Sequence, residues 1–159
     1  MKTGIYLAGL IVYHFAMRIL AGETLTAFLK EKSLENRGYF RQRPFEPKLY
    51  RFLRVKKWKG KAITAKHWQF DMKKRSPGEL LFFINQAELV HTVSFFLSFL
   101  PLCLIPFFGR GGITLLLSAA AAAVDLQYII IQRFNRPRVE KLCRRTEKPL
   151  SPDPSGKKQ

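Results

Sequence analysis

Three blocks of apolar residues divide the chain, and polar segments of very different length separate them. Residues 4–22 form the first block, which is about long enough to cross a bilayer as a helix of roughly 20 residues. Residues 80–84 begin a helix at the interface, and residues 89–108 continue it as a second span. Pro101 and Pro106 fall in its outer half, where each removes a backbone bond and predicts a kink. Gly109-Arg110-Gly111-Gly112 predicts a tight turn, and residues 113–132 cross back. Ala119–Ala123 is a small-residue patch suited to close helix approach. The pattern predicts an all-α membrane protein with about three transmembrane helices. Residues 1–142 are expected to make a single membrane-embedded domain, and residues 143–159 a basic, disordered tail.

The first block reads as an uncleaved anchor rather than a signal peptide. Only Lys2 precedes it, the run is long, and His14 and Arg18 interrupt its end. The segment 23–88 is expected to lie in the cytosol at the interface. Its stretch from Phe40 to Phe70 interleaves Tyr50, Phe52, Trp58 and Trp68 with Arg51, Arg54, Lys56, Lys57, Lys59 and Lys61. Aromatic rings favour the headgroup level and cations reach phosphates, so an interfacial platform fits this mixture, as does a solvated basic loop. Arg51-Phe52-Leu53-Arg54 is a weak start for an amphipathic helix, and Ser76-Pro77-Gly78 marks a break.

Charge orients these elements. The formal net charge is +17 over 159 residues. Residues 23–79 hold sixteen Lys or Arg, and the chain from Arg133 onward holds nine. The other end of each span faces only Lys2 or Arg110. The positive-inside rule then places the middle segment and the tail in the cytosol, with the N-terminus and the glycine-rich turn outside. So basic a chain also invites a nucleic-acid reading, but no stacking motif or binding fold is recognisable. Membrane lipids are the expected partners instead. The two cysteines, Cys103 and Cys143, fall at different depths, which predicts no disulfide.

Two polar clusters meet at one level under this topology. Glu88 and His91 stand three apart, on one helix face, at the inner end of the second span. Gln132, Arg133, Asn135 and Arg136 lie at the inner end of the third. Two readings stand for the Glu88/His91 pair. One is an ordinary interfacial carboxylate with a histidine at headgroup depth. The other makes His91 a general base that Glu88 orients. Glu-x-x-His could be half of a metal site, but no second pair occurs, so no metal is expected. Arg133, Arg136 and Arg138 suit a stop signal, whereas Asn135 and Gln132 beside them suit recognition of an anionic headgroup or donor. Deeper in, His14 and Asp125 sit at a similar level, about 10–12 Å from the inner ends of their spans. An unpaired charge there is costly, so both are expected to face the bundle interior, to pair and to shape a pocket. Arg18 is close enough to the interface to snorkel.

Lys56-Lys57-Trp58-Lys59, Ala87-Glu88-Leu89-Val90-His91 and Ile131-Gln132-Arg133-Phe134-Asn135-Arg136-Pro137-Arg138 occur in this order. In these runs, over roughly residues 45–142, the chain resembles glycosyl-4,4'-diaponeurosporenoate acyltransferase, the last enzyme of staphyloxanthin synthesis. It departs where the family pattern carries Asn-Leu-Pro and this chain has Asp125-Leu126-Gln127, and where Trp often follows the histidine and this chain has Thr92. The resemblance implies a small membrane acyltransferase that esterifies a sugar hydroxyl of a glucosyl carotenoid-like lipid with a fatty acyl chain. It implies a lipid-linked sugar acceptor, a fatty acyl donor such as acyl-CoA as co-substrate, and no bound cofactor. His91 and Glu88 would be catalytic. Arg133, Asn135, Arg136, Gln132, Trp58, Lys57, Asp125 and His14 would bind substrate. The rival reading is a non-enzymatic basic membrane protein that recruits anionic lipid or a partner. Under it, Arg133→Lys would be harmless and Glu88→Gln silent.

Overall fold

A computed structural model describes residues 3–29, 38–61 and 74–147. Every regular element among these residues is helical. Three helices are long and apolar enough to cross a membrane. The first is α1, Thr3–Phe28. Two short helices follow in the basic segment, α2 at Glu46–Phe52 and α3 at Val55–Trp58. Then come α4 at Pro77–Leu97, α5 at Ile105–Phe108 and the long α6 at Gly111–Glu147. Trp68, the second half of the aromatic and cationic stretch, and the tail beyond residue 147 lie outside the described residues.

Local chemistry accounts for the ends. The break expected at Ser76-Pro77-Gly78 is a helix start. Ser76 accepts from the Glu79 backbone, Glu79 returns the bond to the Ser76 backbone, and Pro77 occupies the first turn. Such a capping box satisfies donors that no helical carbonyl can reach. At the other end, α4 stops at Leu97 and the chain passes through a tighter 3-10 turn over Leu100–Leu104. Pro101 lacks the N–H that would continue the ladder, and Pro106 opens α5. Gly109 then takes φ +61, a left-handed cap that glycine adopts without strain.

Two boundaries differ from the sequence expectation. The third apolar block does not end at 132 as a helix; α6 runs on to Glu147, through residues expected to belong to a disordered tail. Arg51 and Phe52 end α2 rather than start a helix, and Arg54 beyond them sits at φ 50. The positive φ reverses the chain between α2 and α3 and lets both pack at the end of the bundle.

The turn after α5 makes α4 and α6 antiparallel neighbours along most of their length. Leu80, Ile84 and Val139 seal the basic end of this pair. Helix α1 lies in the groove, alongside and parallel to α6. Tyr6 shares a hydrogen bond with Thr114 at 2.6 Å, and Arg110 reaches Thr3. Tyr13 donates to the Leu97 carbonyl at 2.9 Å, which ties α1 to the end of α4. The interior of this bundle is polar and its outside apolar. Thr114, Ser118, Asp125, Gln132 and Arg136 of α6 are all buried, whereas Leu115, Leu116, Val124 and Leu126 are exposed. A helix bundle in lipid has this distribution, because tails solvate the outside and only the inter-helix seam can satisfy polar groups.

Candidate active site

Two acid-centred clusters stack along that seam, one helical turn apart on α4. The first surrounds Glu88, whose side chain is fully buried. Arg133 Nη1 donates to its Oε1 at 2.7 Å, and Arg136 Nη2 donates to Oε2. Arg133 also donates to Glu46 Oε1 through Nη2 at 2.5 Å and Nε at 3.0 Å. Arg136 Nε donates to Asn85 Oδ1 and its Nη1 to the Phe40 carbonyl, with the guanidinium 4.9 Å from the Phe40 ring centroid. Every nitrogen of both guanidinium groups is thus engaged. Tyr50 donates to the second Glu46 oxygen at 2.7 Å. Burial alone would raise the Glu46 carboxyl; the hydrogen bonds from Arg133 and Tyr50 and the adjacent positive charge outweigh it and hold the group below its usual range. The Tyr50 hydroxyl moves the other way, raised by burial and then by the bond to Glu46. The cluster joins α2, α4 and α6, so the basic segment is clamped to the bundle through two carboxylates.

The second cluster surrounds Asp125, also fully buried. His91 Nδ1 donates to its Oδ1 at 3.0 Å. Arg18 spans both oxygens, with Nη2 2.5 Å from Oδ2 and Nε 3.3 Å from Oδ1. Arg18 is held in turn by the His14 and Ala121 carbonyls. The His91 ring stacks on Tyr128 with centroids 4.6 Å apart and planes 12° apart. Its Nε2 makes no hydrogen bond among the described residues, and the side chain keeps 26 % of its surface exposed. The ring is therefore fixed by one nitrogen and one face and presents the other nitrogen outward. This is how an orienting carboxylate prepares an imidazole to accept a proton.

The residues singled out from sequence fall into this picture unevenly. Glu88 and His91 share α4 but not a partner: Asp125 holds the imidazole and Glu88 does not. His14 and Asp125 both face the interior, as their depth requires. They do not bond to each other, because Arg18 turns inward to the carboxylate instead of snorkelling. His14 Nε2, Ser94 Oγ and Ser118 Oγ are buried with no hydrogen-bond partner among the described residues. Gln132 is buried, and Asn135 accepts from Lys59 Nζ at 2.7 Å. Trp58 Nε1 donates to the Leu53 carbonyl, so the ring closes the α2–α3 turn. Lys57 is exposed. Among the described residues no third histidine, cysteine or carboxylate joins His91 and Asp125 to form a metal set.

Sequence reasoning missed Arg18 as a partner, and it missed Glu46, Tyr50, Asn85 and Tyr128. Arg18 carried a readable signal, since a lone Asp and a lone Arg in parallel spans at similar depth invite pairing. Glu46 and Tyr50 carried none. They come from a short interfacial helix whose docking depends on tertiary contacts.

Residues 36–145 match the family model described as Glycosyl-4,4'-diaponeurosporenoate acyltransferase. Neither the curated proteins nor the solved structures give a match. The matched region contains Glu46, Glu88, His91, Asp125, Arg133 and Arg136, while Arg18 and His14 come from the helix before it. With most of its length and both clusters' central acids inside the match, this helical membrane protein belongs to the glycosyl-4,4'-diaponeurosporenoate acyltransferase family and is an acyltransferase of carotenoid modification.

Proposed function

We propose that the chain esterifies a sugar hydroxyl of a glycosylated lipid, of glucosyl-carotenoid type, with a fatty acyl chain from an acyl thioester. The reaction takes place at the cytosolic edge of the bacterial cell membrane. The observation that carries this reading is the contact between His91 Nδ1 and buried Asp125, which leaves Nε2 outward. In the step proposed, Nε2 removes the proton of the sugar hydroxyl as its oxygen attacks the thioester carbonyl. The carbon–sulfur bond of the tetrahedral intermediate then breaks, and the departing thiolate takes the proton from the imidazolium. Asp125 orients the ring and offsets its transient charge.

Both substrates are amphiphiles whose apolar tails belong among lipid tails, so a reactive group at the polar seam of a three-helix bundle meets them where their heads lie. The orientation follows the charge distribution, with the basic segment and α6's basic end in the cytosol. Glu88 is assigned a positioning role: it locks Arg133 and Arg136 and thereby fixes α6 against α4. Where the family pattern has Asn, Asp125 changes the charge beside the ring but not the means of holding it, since an amide oxygen also accepts from Nδ1.

The test is acyl transfer by the purified protein in nanodiscs, from an acyl thioester to a glucosyl lipid, read by mass spectrometry. His91→Ala is expected to lose about 10²–10⁴-fold in rate while inserting and folding normally. Near-normal turnover in that variant would remove His91 from the mechanism. Lipid mass spectrometry of a deletion strain identifies the acceptor: it gains one free hydroxyl and loses one acyl chain.

A further inference from the structure

The cations at the basic end of the bundle are compensated unequally. Arg133 and Arg136 are matched by Glu46 and Glu88. Next to them, Lys59 lies with its Nζ 4.7 Å over the Phe134 ring centroid, and the Arg138 guanidinium lies 5.8 Å from the same centroid. Lys59 Nζ is further pinned by Asn135 Oδ1. Lys56, one turn earlier, is close enough for its charge to act on the Lys59 amine. Burial, then the charges of Arg138 and Lys56, hold that amine below the usual lysine range. None of the three has a carboxylate partner among the described residues.

Two like charges held at one ring, with Lys56 a turn away from one of them, repel each other, and an anion placed between them relieves that repulsion. Lysine amines and a guanidinium are the groups that recognise phosphate. We propose that Lys59 and Arg138, which meet at the Phe134 ring, together with Lys56 one turn before Lys59, bind the phosphate end of a long-armed acyl thioester, the phosphopantetheine class of donor. This rests on the acyl-transfer reading above and names its co-substrate.

Distance favours that class. Arg138 lies thirteen residues beyond Asp125 on α6, about 20 Å at roughly 1.5 Å per residue. A thioester at the end of a pantetheine arm covers a gap of that order. A phospholipid carries its acyl esters a few bonds from its phosphate, so a headgroup seated on the patch would leave those esters far from His91. Arg133 and Arg136 lie nearer, but their nitrogens are already occupied.

Binding can be read without turnover. The protein in phosphatidylcholine nanodiscs is titrated calorimetrically with free coenzyme A and, separately, with inorganic pyrophosphate. Coenzyme A is expected to bind, to weaken as salt rises, and to weaken by about ten-fold or more in the double variant Lys59→Gln/Arg138→Gln. His91→Ala is expected to bind it like the wild type, which separates this proposal from the catalytic one. The double variant alters half-exposed and exposed positions, and thermal unfolding checks that it folds. The salt dependence of wild-type binding tests the same charge contacts without any substitution. Equal binding by wild type and double variant overturns the assignment, as does no binding by the wild type. A second arm replaces part of the phosphatidylcholine with phosphatidylglycerol. If the anionic lipid abolishes coenzyme A binding, the patch takes headgroup phosphate, and the donor assignment falls.

Discussion

Glu88 and Asp125 are both fully buried carboxylates that meet arginine in the seam of one bundle, yet their surroundings suit them to different work. Around Glu88, both oxygens and all six guanidinium nitrogens of Arg133 and Arg136 are used. Around Asp125, one arginine is joined by an imidazole whose second nitrogen faces outward. A saturated network has no group left with which to act on a substrate, and its value is geometric. A network that ends on a titratable ring at the edge of the bundle has one group left to exchange a proton. Glu88 and His91 stand three apart on α4, so neighbouring positions on one helix face end in a saturated network and in an open one.

The comparison is most sharply broken at Glu88. Replacing it with Ala leaves the buried Arg136 guanidinium without a counter-charge and Arg133 with Glu46 alone, and removing one partner of a buried ion pair costs about 3–5 kcal/mol. Loss of the folded bundle in detergent-unfolding experiments is expected for Glu88→Ala, whereas His91→Ala, which leaves Asp125 paired with Arg18, is expected to stay folded with a smaller loss. Equal stability of both variants would show that Glu88 is not the lock.

The Asp125 cluster should yield to a paired change. Asp125→Asn leaves Arg18 without a counter-charge in the bundle, and adding Arg18→Met should recover most of the loss. A coupling of about 0.5–3 kcal/mol between the two sites is expected from a double-mutant cycle. Additive losses would mean that the two side chains do not interact in solution.

Tyr50→Phe removes one hydrogen bond to a carboxylate and should cost about 1.5–3 kcal/mol. Limited proteolysis is a suitable readout, because the change should loosen α2 from the bundle before the spans unfold. Cleavage within α2 at the wild-type rate would argue against the clamp.

The smallest effect concerns pH. The Glu46 carboxyl is held below its usual range in the folded protein, so its contribution is complete above the unfolded value, about 4.3, and is lost as pH falls through the folded value. The stability difference between wild type and Glu46→Gln should therefore be constant near neutrality and shrink below about pH 4. A difference that does not change with pH would mean that the carboxylate charge is not what binds Arg133.

Much of the fold was legible in the sequence because a bilayer is a severe solvent. Runs of about twenty apolar residues, two prolines and one glycine turn define three spans, and a lopsided cation count predicts their orientation. The depth of a charge followed from its position in a span, which is why Asp125, His14, Glu88 and His91 could be expected to face inward. Which partner each would meet was not legible. Glu88 and His91 share a helix face, so local spacing suggested that they act together, and rotation of α1 and α6 about their axes decided otherwise. Only the packed bundle brings Arg18 to Asp125, and only the docking of a short interfacial helix brings Glu46 and Tyr50 to Arg133. The sequence determines how deep each polar group lies, because hydrophobic length is additive along a chain. The tertiary structure alone determines which group it finds there, because pairing depends on the relative rotation of helices far apart in sequence.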